Sequence, residues 1–267
     1  MILQLLFYEV NNCTPRKEVS FTSFVISNGQ SFSKPSAVKI KLQSVTRLFH
    51  TKNIVTVNGQ FPGPRIIARE GDRLVIKVVN NVQNNMGLHT LHNAQFRQAK
   101  AVYTTSQWEA KEGLYFGMPT FLGLGLPFYG LIVILPKRNA GYPFLRPFQE
   151  VPIIFGEWWN ADTETVINQA LQTGLAPNVS DAYAINGLPG PLYNCSAKDT
   201  FKLKVKPGKT QLLRLIIVAL NDELFFSIAN HSLTVVEVDA TYVKPFKTNA
   251  ILLSPPTWTN YQCSSQD

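Results

Sequence analysis

The sequence predicts an all-β protein built from two β-sandwich units in tandem, the second incomplete. Three observations predict it. First, one unit of sequence occurs twice. Asn58-Gly59-Gln60-Phe61-Pro62-Gly63-Pro64 is followed by Glu70-Gly71-Asp72 and the apolar run Leu74 to Val79. Asn186-Gly187-Leu188-Pro189-Gly190-Pro191 is followed by Pro207-Gly208-Lys209 and the run Leu212 to Val218. A turn, a short strand, a glycine turn and a buried strand recur from Asn58 to Asn186, a spacing that suits two copies of one β domain. Second, 17 Pro and 16 Gly in 267 residues suit short strands joined by many turns. Third, 45% of residues are hydrophobic and 16% charged, enough for each copy to bury a core.

The elements follow in order. Residues 1–37 show little periodicity and are expected to form an unstructured or divergent tail. Residues 38–138 are expected as the first unit. Val38 to Leu48 alternates apolar and polar residues. Ile54 to Val57, Arg65 to Ala68 and Leu74 to Val79 follow, separated by Gly, Pro and Asp turns. Residues 80–120 are the least regular part. Tyr129 to Leu135 is a continuous apolar run, read as a buried strand that closes the unit. Pro136, Gly141, Pro143 and Pro147 mark a linker.

Residues 149–267 are expected as the second unit, opened by a strand over Val151 to Phe155. Asp162 to Thr173 predicts the one helix. Asp162 can cap it, Val166, Ile167, Ala170 and Leu171 make one apolar face, and Gly174 stops it. Strands resume at Ala182 to Ile185, Phe201 to Val205, Leu212 to Val218, Leu224 to Ile228 and Leu233 to Val238. Beyond them the chain reaches Pro255-Pro256-Thr257-Trp258 with too few strands to close a sandwich, so the second unit reads as C-terminally truncated.

The formal net charge is +8 and the pI about 9.4, without a dense basic block. Lys39 and Lys41 alternate with apolar residues, as do Lys202, Lys204 and Lys206, which places lysines on a solvated face. That pattern argues against a nucleic-acid groove. A polyanionic matrix such as an acidic polysaccharide is a partner that such a surface would suit. Cys13, Cys195 and Cys263 leave an odd thiol even if one pair forms, and none has the spacing of a zinc or dithiol motif. Sequons at Asn12, Asn178, Asn194 and Asn230 predict glycosylation and lean towards a secretory route. Met1 to Tyr8 is apolar but lacks a basic start and a clear cleavage site, so a signal peptide is not evident. Leu122 to Pro136 is too short and too broken to span a membrane.

Four histidines are present: His50, His89, His92 and His231. His89 and His92 are the close pair and the candidate metal ligands. Strand histidines share a metal best two residues apart, because period two puts both rings on one face. Spacing i, i+3 needs a bend or a helical turn. Glu70 and Asp72 around Gly71 read as a turn before a strand rather than a carboxylate pair. Trp158-Trp159 reads as an aromatic core or interface element. No residue is assigned a catalytic role.

From Gln43 onward the residues resemble the plant laccases, which are multicopper oxidases. The resemblance is carried by Val45-Thr46-Arg47-Leu48 with His50-Thr51-Lys52, Ile54 to Pro64, Ala68 to Asp72, Lys77 to Val82 and Tyr129 to Arg138. It continues through Glu150 to Trp159, Asp162 to Ser180, Ile185 to Pro191 and Leu233 to Leu253. It implies cupredoxin-like (plastocyanin-like) Greek-key β-sandwiches and a secreted, apoplastic glycoprotein. It also implies copper as cofactor, and phenols of the lignin type and dioxygen as substrates, the dioxygen being reduced to water.

The same resemblance marks departures. The family holds a trinuclear copper cluster with four His-x-His motifs. His89 stands at the first ligand of the first motif, Leu91 stands where the second ligand belongs, and His92 comes one position late. The second motif's positions hold Met118-Pro119-Thr120. A third domain with the other two motifs and the type 1 copper ligands has no counterpart. Cys195 matches a family cysteine whose partner position holds Phe49. Residues 87–128 look unrelated to the family. The expectation is a laccase-like chain that has lost its activity. The alternative is a non-catalytic secreted glycoprotein fragment or pseudogene product that binds copper weakly through His89 and His92.

Overall fold

A computed structural model describes residues 2–5, 25–26, 37–69, 73–82, 86–89, 93–96, 101–107, 113–121, 130–137, 139–175, 178–193, 196–219, 222–238, 241–254 and 258–264. The strands are β1 (Ile2–Leu5), β2 (Val25–Ile26), β3 (Ala37–Arg47), β4 (His50–Val57), β5 (Ile66–Arg69), β6 (Arg73–Asn80), β7 (Met86–His89), β8 (Asn93–Phe96), β9 (Ala101–Gln107), β10 (Gly113–Phe121) and β11 (Gly130–Leu135). They continue with β12 (Gln149–Trp158), helix α1 (Thr163–Thr173), β13 (Ala182–Ile185), β14 (Thr210–Ile217), β15 (Leu224–Ile228), β16 (Leu233–Val238), β17 (Thr241–Thr248), β18 (Ile251–Leu253) and β19 (Trp258–Ser264). Four sheets result. One has the order β2-β6-β3-β4 with β9 also on β6, and a second the order β5-β11-β10-β7-β8. The others have the orders β13-β12-β14-β19-β16-β17 and β1-β15-β18.

The repeat read from the sequence is a repeat of topology. β3 pairs antiparallel with β4 and parallel with β6, and β9 lies antiparallel on β6. β12 pairs antiparallel with β13 and parallel with β14, and β19 lies antiparallel on β14. The two Asn-Gly turns are built alike. Asn58 and Gly59 have φ of 54° and 77°, and Asn186 and Gly187 have φ of 51° and 75°. Positive φ at both central residues is the pattern that asparagine and glycine tolerate best. Each turn is closed by reciprocal backbone bonds, Val57 with Gln60 and Ile185 with Leu188. Each asparagine also clamps the neighbouring strand. Lys39 N donates to Asn58 Oδ1 at 2.8 Å, and Ile154 N donates to Asn186 Oδ1 at 2.9 Å.

The main core lies between the six-stranded and three-stranded sheets, around Ile153, Phe155, Leu213, Leu215, Phe226, Leu233 and Leu253. β12 and β14 are buried on both faces. Their alternate residues Ile154 and Ile216 pack against Leu131 and Val133 of β11. A parallel strand pair covered on both sides needs a near-continuous apolar run, which is what Leu212 to Ile217 supplies, Arg214 excepted. Further contacts join the β3–β4 hairpin and its following turn to β12 and β13. The Lys52 ammonium sits 4.8 Å over the Trp158 ring and donates to the carbonyls of Trp159 and, at 3.4 Å, Ala161. Phe61 meets Trp158 edge to face at 6.2 Å, and Arg47 Nε donates to Gly187 O at 3.3 Å. Trp158, expected as an aromatic core or interface element, is buried and carries these contacts. Burial lowers the Lys52 pKa, opposed by the Asp162 and Asp181 carboxylates.

The helix begins and ends as its caps dictate. Asp162 Oδ2 accepts from Thr165 N at 3.2 Å, and Gly174 adopts φ 68° with its N–H donating to Ala170 O. Several expectations need correction. Leu171, expected on the buried helix face, is 73% exposed, while Thr163 and Val166 in the first turn are buried. Phe201 to Val205 forms no ladder. Leu203 is buried and Lys202, Lys204 and Lys206 are exposed, so the alternation holds although the segment pairs with no strand among the described residues. The N-terminal segment carries two strands, β1 parallel to β15 and β2 antiparallel to β6. The irregular stretch 80–120 supplies β7, β8, β9 and most of β10, and β17, β18 and β19 extend the sheets beyond Val238. Glu70, Gly71 and Asp72 lie outside the described residues.

Candidate functional site

β7 ends in His89, one of the two predicted metal ligands. The ladder pairs His89 with Met118 of β10 on one side and with Asn93 of β8 on the other. Pro119 and Thr120 pair with Leu88 and Gly87. The three positions assigned by resemblance to the second histidine motif therefore lie directly across from the strand that carries His89. Directly opposed residues of an antiparallel pair share a face. The backbone is arranged for facing ligands, but the facing residue is a methionine. His92 lies outside the described residues. His50 is exposed at the start of β4, and His231 Nδ1 lies 2.7 Å from Ala229 O in a turn. Among the described residues no three His, Cys, Asp or Glu side chains gather as a metal site. This donor set does not fit a copper cluster, which needs several imidazoles converging from facing strands.

The predicted glycosylation sites divide. Asn178 and Asn230 are exposed, Asn230 at φ 59° in the turn between β15 and β16. Asn12 and Asn194 lie outside the described residues, as do Cys13 and Cys195. Phe49, at the position where the resemblance places a disulfide partner, is 72% exposed in the turn between β3 and β4.

A polar centre that the motif reading missed lies where the linker meets β12 and β14. Arg214 is 1% exposed. Its Nε donates to Glu150 Oε2 at 3.0 Å, and its Nη2 donates to Tyr142 Oη at 2.9 Å. Tyr142 Oη donates in turn to Glu150 Oε1 at 2.7 Å. Both carboxylate oxygens of Glu150 are thus engaged. Burial, followed by the Glu150 contacts, pushes the Tyr142 phenol far up, while the Arg214 charge opposes this. Burial, the largest single influence, would lower the Arg214 pKa; Glu150, Tyr142 and Glu237 together outweigh it and hold the guanidinium charged. Nη1 is buried without a partner among the described residues. The signal was present in the sequence, a lone arginine inside the run Leu212-Leu213-Arg214-Leu215, since a charge in a doubly covered strand requires a buried partner.

Beside this centre runs a cleft of about 530 Å³ lined by Arg69, Tyr142, Phe144, Arg146, Phe148 and Glu150 among others. Elsewhere, Tyr183 Oη donates to Asp222. Burial, then that bond, pushes its phenol up to about 12. No described helix is long and apolar enough to cross a membrane.

Comparison with known proteins gives one consistent answer. Two family profiles, both described as multicopper oxidase, match residues 39–110 and 149–262. The first of these matches runs through His89 into the stretch that looked unrelated. Laccase-17 of Arabidopsis thaliana is 59% identical over 239 residues, covering 84% of this chain and 41% of that protein. Laccase-4 of Oryza sativa subsp. japonica is 52% identical over 252 residues, covering 88% and 44%. A solved laccase variant from B. aclada superposes with a TM-score of 0.76 at 21% identity, covering 88% of this chain and 47% of that one. That likeness shows the fold, all-β with cupredoxin-like Greek-key sandwiches. The chain spans less than half the length of these relatives.

Proposed function

Since the chain belongs to the multicopper oxidase family, with plant laccases as its sequence relatives, we propose that it is a laccase-like glycoprotein and that residues 1–267 do not oxidise phenols on their own. The domains are read as 38–138 and 149–267. In a chain with the family's ligands, copper would supply the oxidation of phenols and the reduction of dioxygen to water. The observation that supports the proposal is the pairing of His89 with Met118 in the β7–β10 ladder, since by resemblance position 118 is one where the family has a histidine. What these residues do is build and hold the sandwiches, through the Lys52, Arg47 and Arg214 contacts that bind β3, β4 and the linker to β12, β13 and β14.

The chain is read as secreted to the apoplast and glycosylated at Asn178 and Asn230, both exposed. The exposed Lys39, Lys41, Lys202, Lys204 and Lys206 with a net charge of +8 would hold it on acidic cell-wall polysaccharide. The test is dioxygen uptake by the purified, copper-supplemented chain with a phenol. No uptake above that of His89→Ala is expected. Copper-dependent uptake that His89→Ala abolishes overturns the reading.

A further inference from the structure

We propose that the linker cleft binds a carboxylated sugar of the kind that makes up polyuronate chains. This rests on the reading above that acidic polysaccharide holds the chain, and it gives that contact a place. The cleft has an aromatic floor and cationic walls. The Tyr142 and Phe144 rings stack 4.8 Å apart with 11° between their planes. Phe148, half exposed, adds a third face, and the Lys206 ammonium lies 5.1 Å from its ring centroid. Flat aromatic faces pack against the C–H face of a pyranose ring.

The walls select for charge. Arg69 and Arg146 line the cleft. Arg69 is held in place, since its Nη1 donates to Pro136 O at 2.9 Å, and Arg146 is exposed on the linker. A guanidinium fork matches a planar carboxylate in two parallel bonds. Glu150 does not repel an incoming acid, because both its oxygens accept hydrogen bonds and the Arg214 cation matches its charge. A neutral sugar or a simple phenol would fit the floor and leave the cations unused.

The test uses the full chain and an oligogalacturonate, with its methyl ester as the uncharged probe, measured by titration calorimetry. The acid should bind, and the ester should bind at least tenfold more weakly. Arg146→Ala and Phe148→Ala should each weaken binding about tenfold, the loss expected for one charge-assisted contact and for one aromatic face respectively. Both sites are exposed, so their thermal midpoints should match wild type. A Lys39→Ala/Lys41→Ala variant, which lowers the general charge attraction without touching the cleft, should weaken binding less than either cleft variant. Full binding by the cleft variants with loss in the lysine variant overturns the cleft and leaves polysaccharide retention standing. No binding by wild type overturns both. Equal binding of acid and ester overturns the carboxylate selectivity.

Discussion

The turn between β3 and β4 is closed by Leu48 and Phe49, with φ of 49° and 66°. The same chain makes this both-positive geometry twice more with Asn-Gly, so it contains its own control. For most L-residues the left-handed region costs about 1–2 kcal/mol each, and a bulky side chain has no local hydrogen bond to offset it. Replacing Leu48-Phe49 by Asn-Gly therefore removes about 2–3 kcal/mol of strain. Glycine returns about 0.5–1 kcal/mol through the flexibility it gives the unfolded chain. Phe49 is 72% exposed, so its removal forfeits little burial. The net gain is about 1–2 kcal/mol, equivalent to a melting shift of about 2–6 °C for a chain of this size. Urea unfolding should show a raised midpoint at unchanged slope. Phe49→Ala keeps the Cβ and the strain, and should gain nothing. An Asn-Gly variant no more stable than wild type, or an alanine variant that gains as much, refutes the strain argument.

Three further outcomes follow from the buried polar groups and the ladder. Glu150→Ala strands the 1%-exposed Arg214 cation and should cost about 3–5 kcal/mol. Arg214→Met leaves a Glu150 side chain 29% exposed and able to hydrate, so it should cost less in chemical denaturation; equal or reversed costs refute the asymmetry. Tyr183 holds its proton to about 12 against an ordinary 10.0, so its contribution is complete below pH 10 and lost as pH rises to 12. Spectrophotometric tyrosine titration should lose this late component in Tyr183→Phe, and an unchanged titration contradicts it. Met118→His puts an imidazole opposite His89 on one sheet face. Copper affinity should rise at least tenfold over wild type in calorimetry and revert with His89→Ala; no rise shows that the pair does not converge.

What was legible in the sequence was whatever local chemistry decides. Asn58-Gly59 and Asn186-Gly187 announce their turns because few other pairs adopt that backbone, and Asp162 and Gly174 bound the helix for similar reasons. Runs such as Leu212 to Ile217 announce strands covered on both faces. Pairing was less legible. Phe201 to Val205 alternates as a strand should, yet only tertiary structure decides whether a neighbour is within ladder reach. Ile2–Leu5 found its partner in β15, more than 200 residues away in sequence, and no local pattern encodes such a pairing. The Tyr142, Glu150 and Arg214 centre was half legible: Arg214 stands out inside its apolar run, but its partners Tyr142 and Glu150 lie 72 and 64 residues away and belong to no motif.

The family fold and the family site are separable in this chain for a physical reason. The sandwiches depend on many distributed terms. These are the two clamped Asn-Gly turns, the Ile154 and Ile216 contacts with β11, the Lys52 cation over Trp158, and backbone ladders that any non-proline residue can join. Losing one such term costs a fraction of the total. A copper cluster has no such reserve, because each imidazole supplies one of a few coordination positions and no neighbour can replace it. A methionine in place of histidine at position 118 still offers β7 the same backbone N–H donor and C=O acceptor, so the register of β10 with β7 is kept. The ladder is therefore blind to the substitution that the metal site cannot tolerate. A chain can keep the architecture of its relatives across the His89 strand while losing the reason that architecture was useful there.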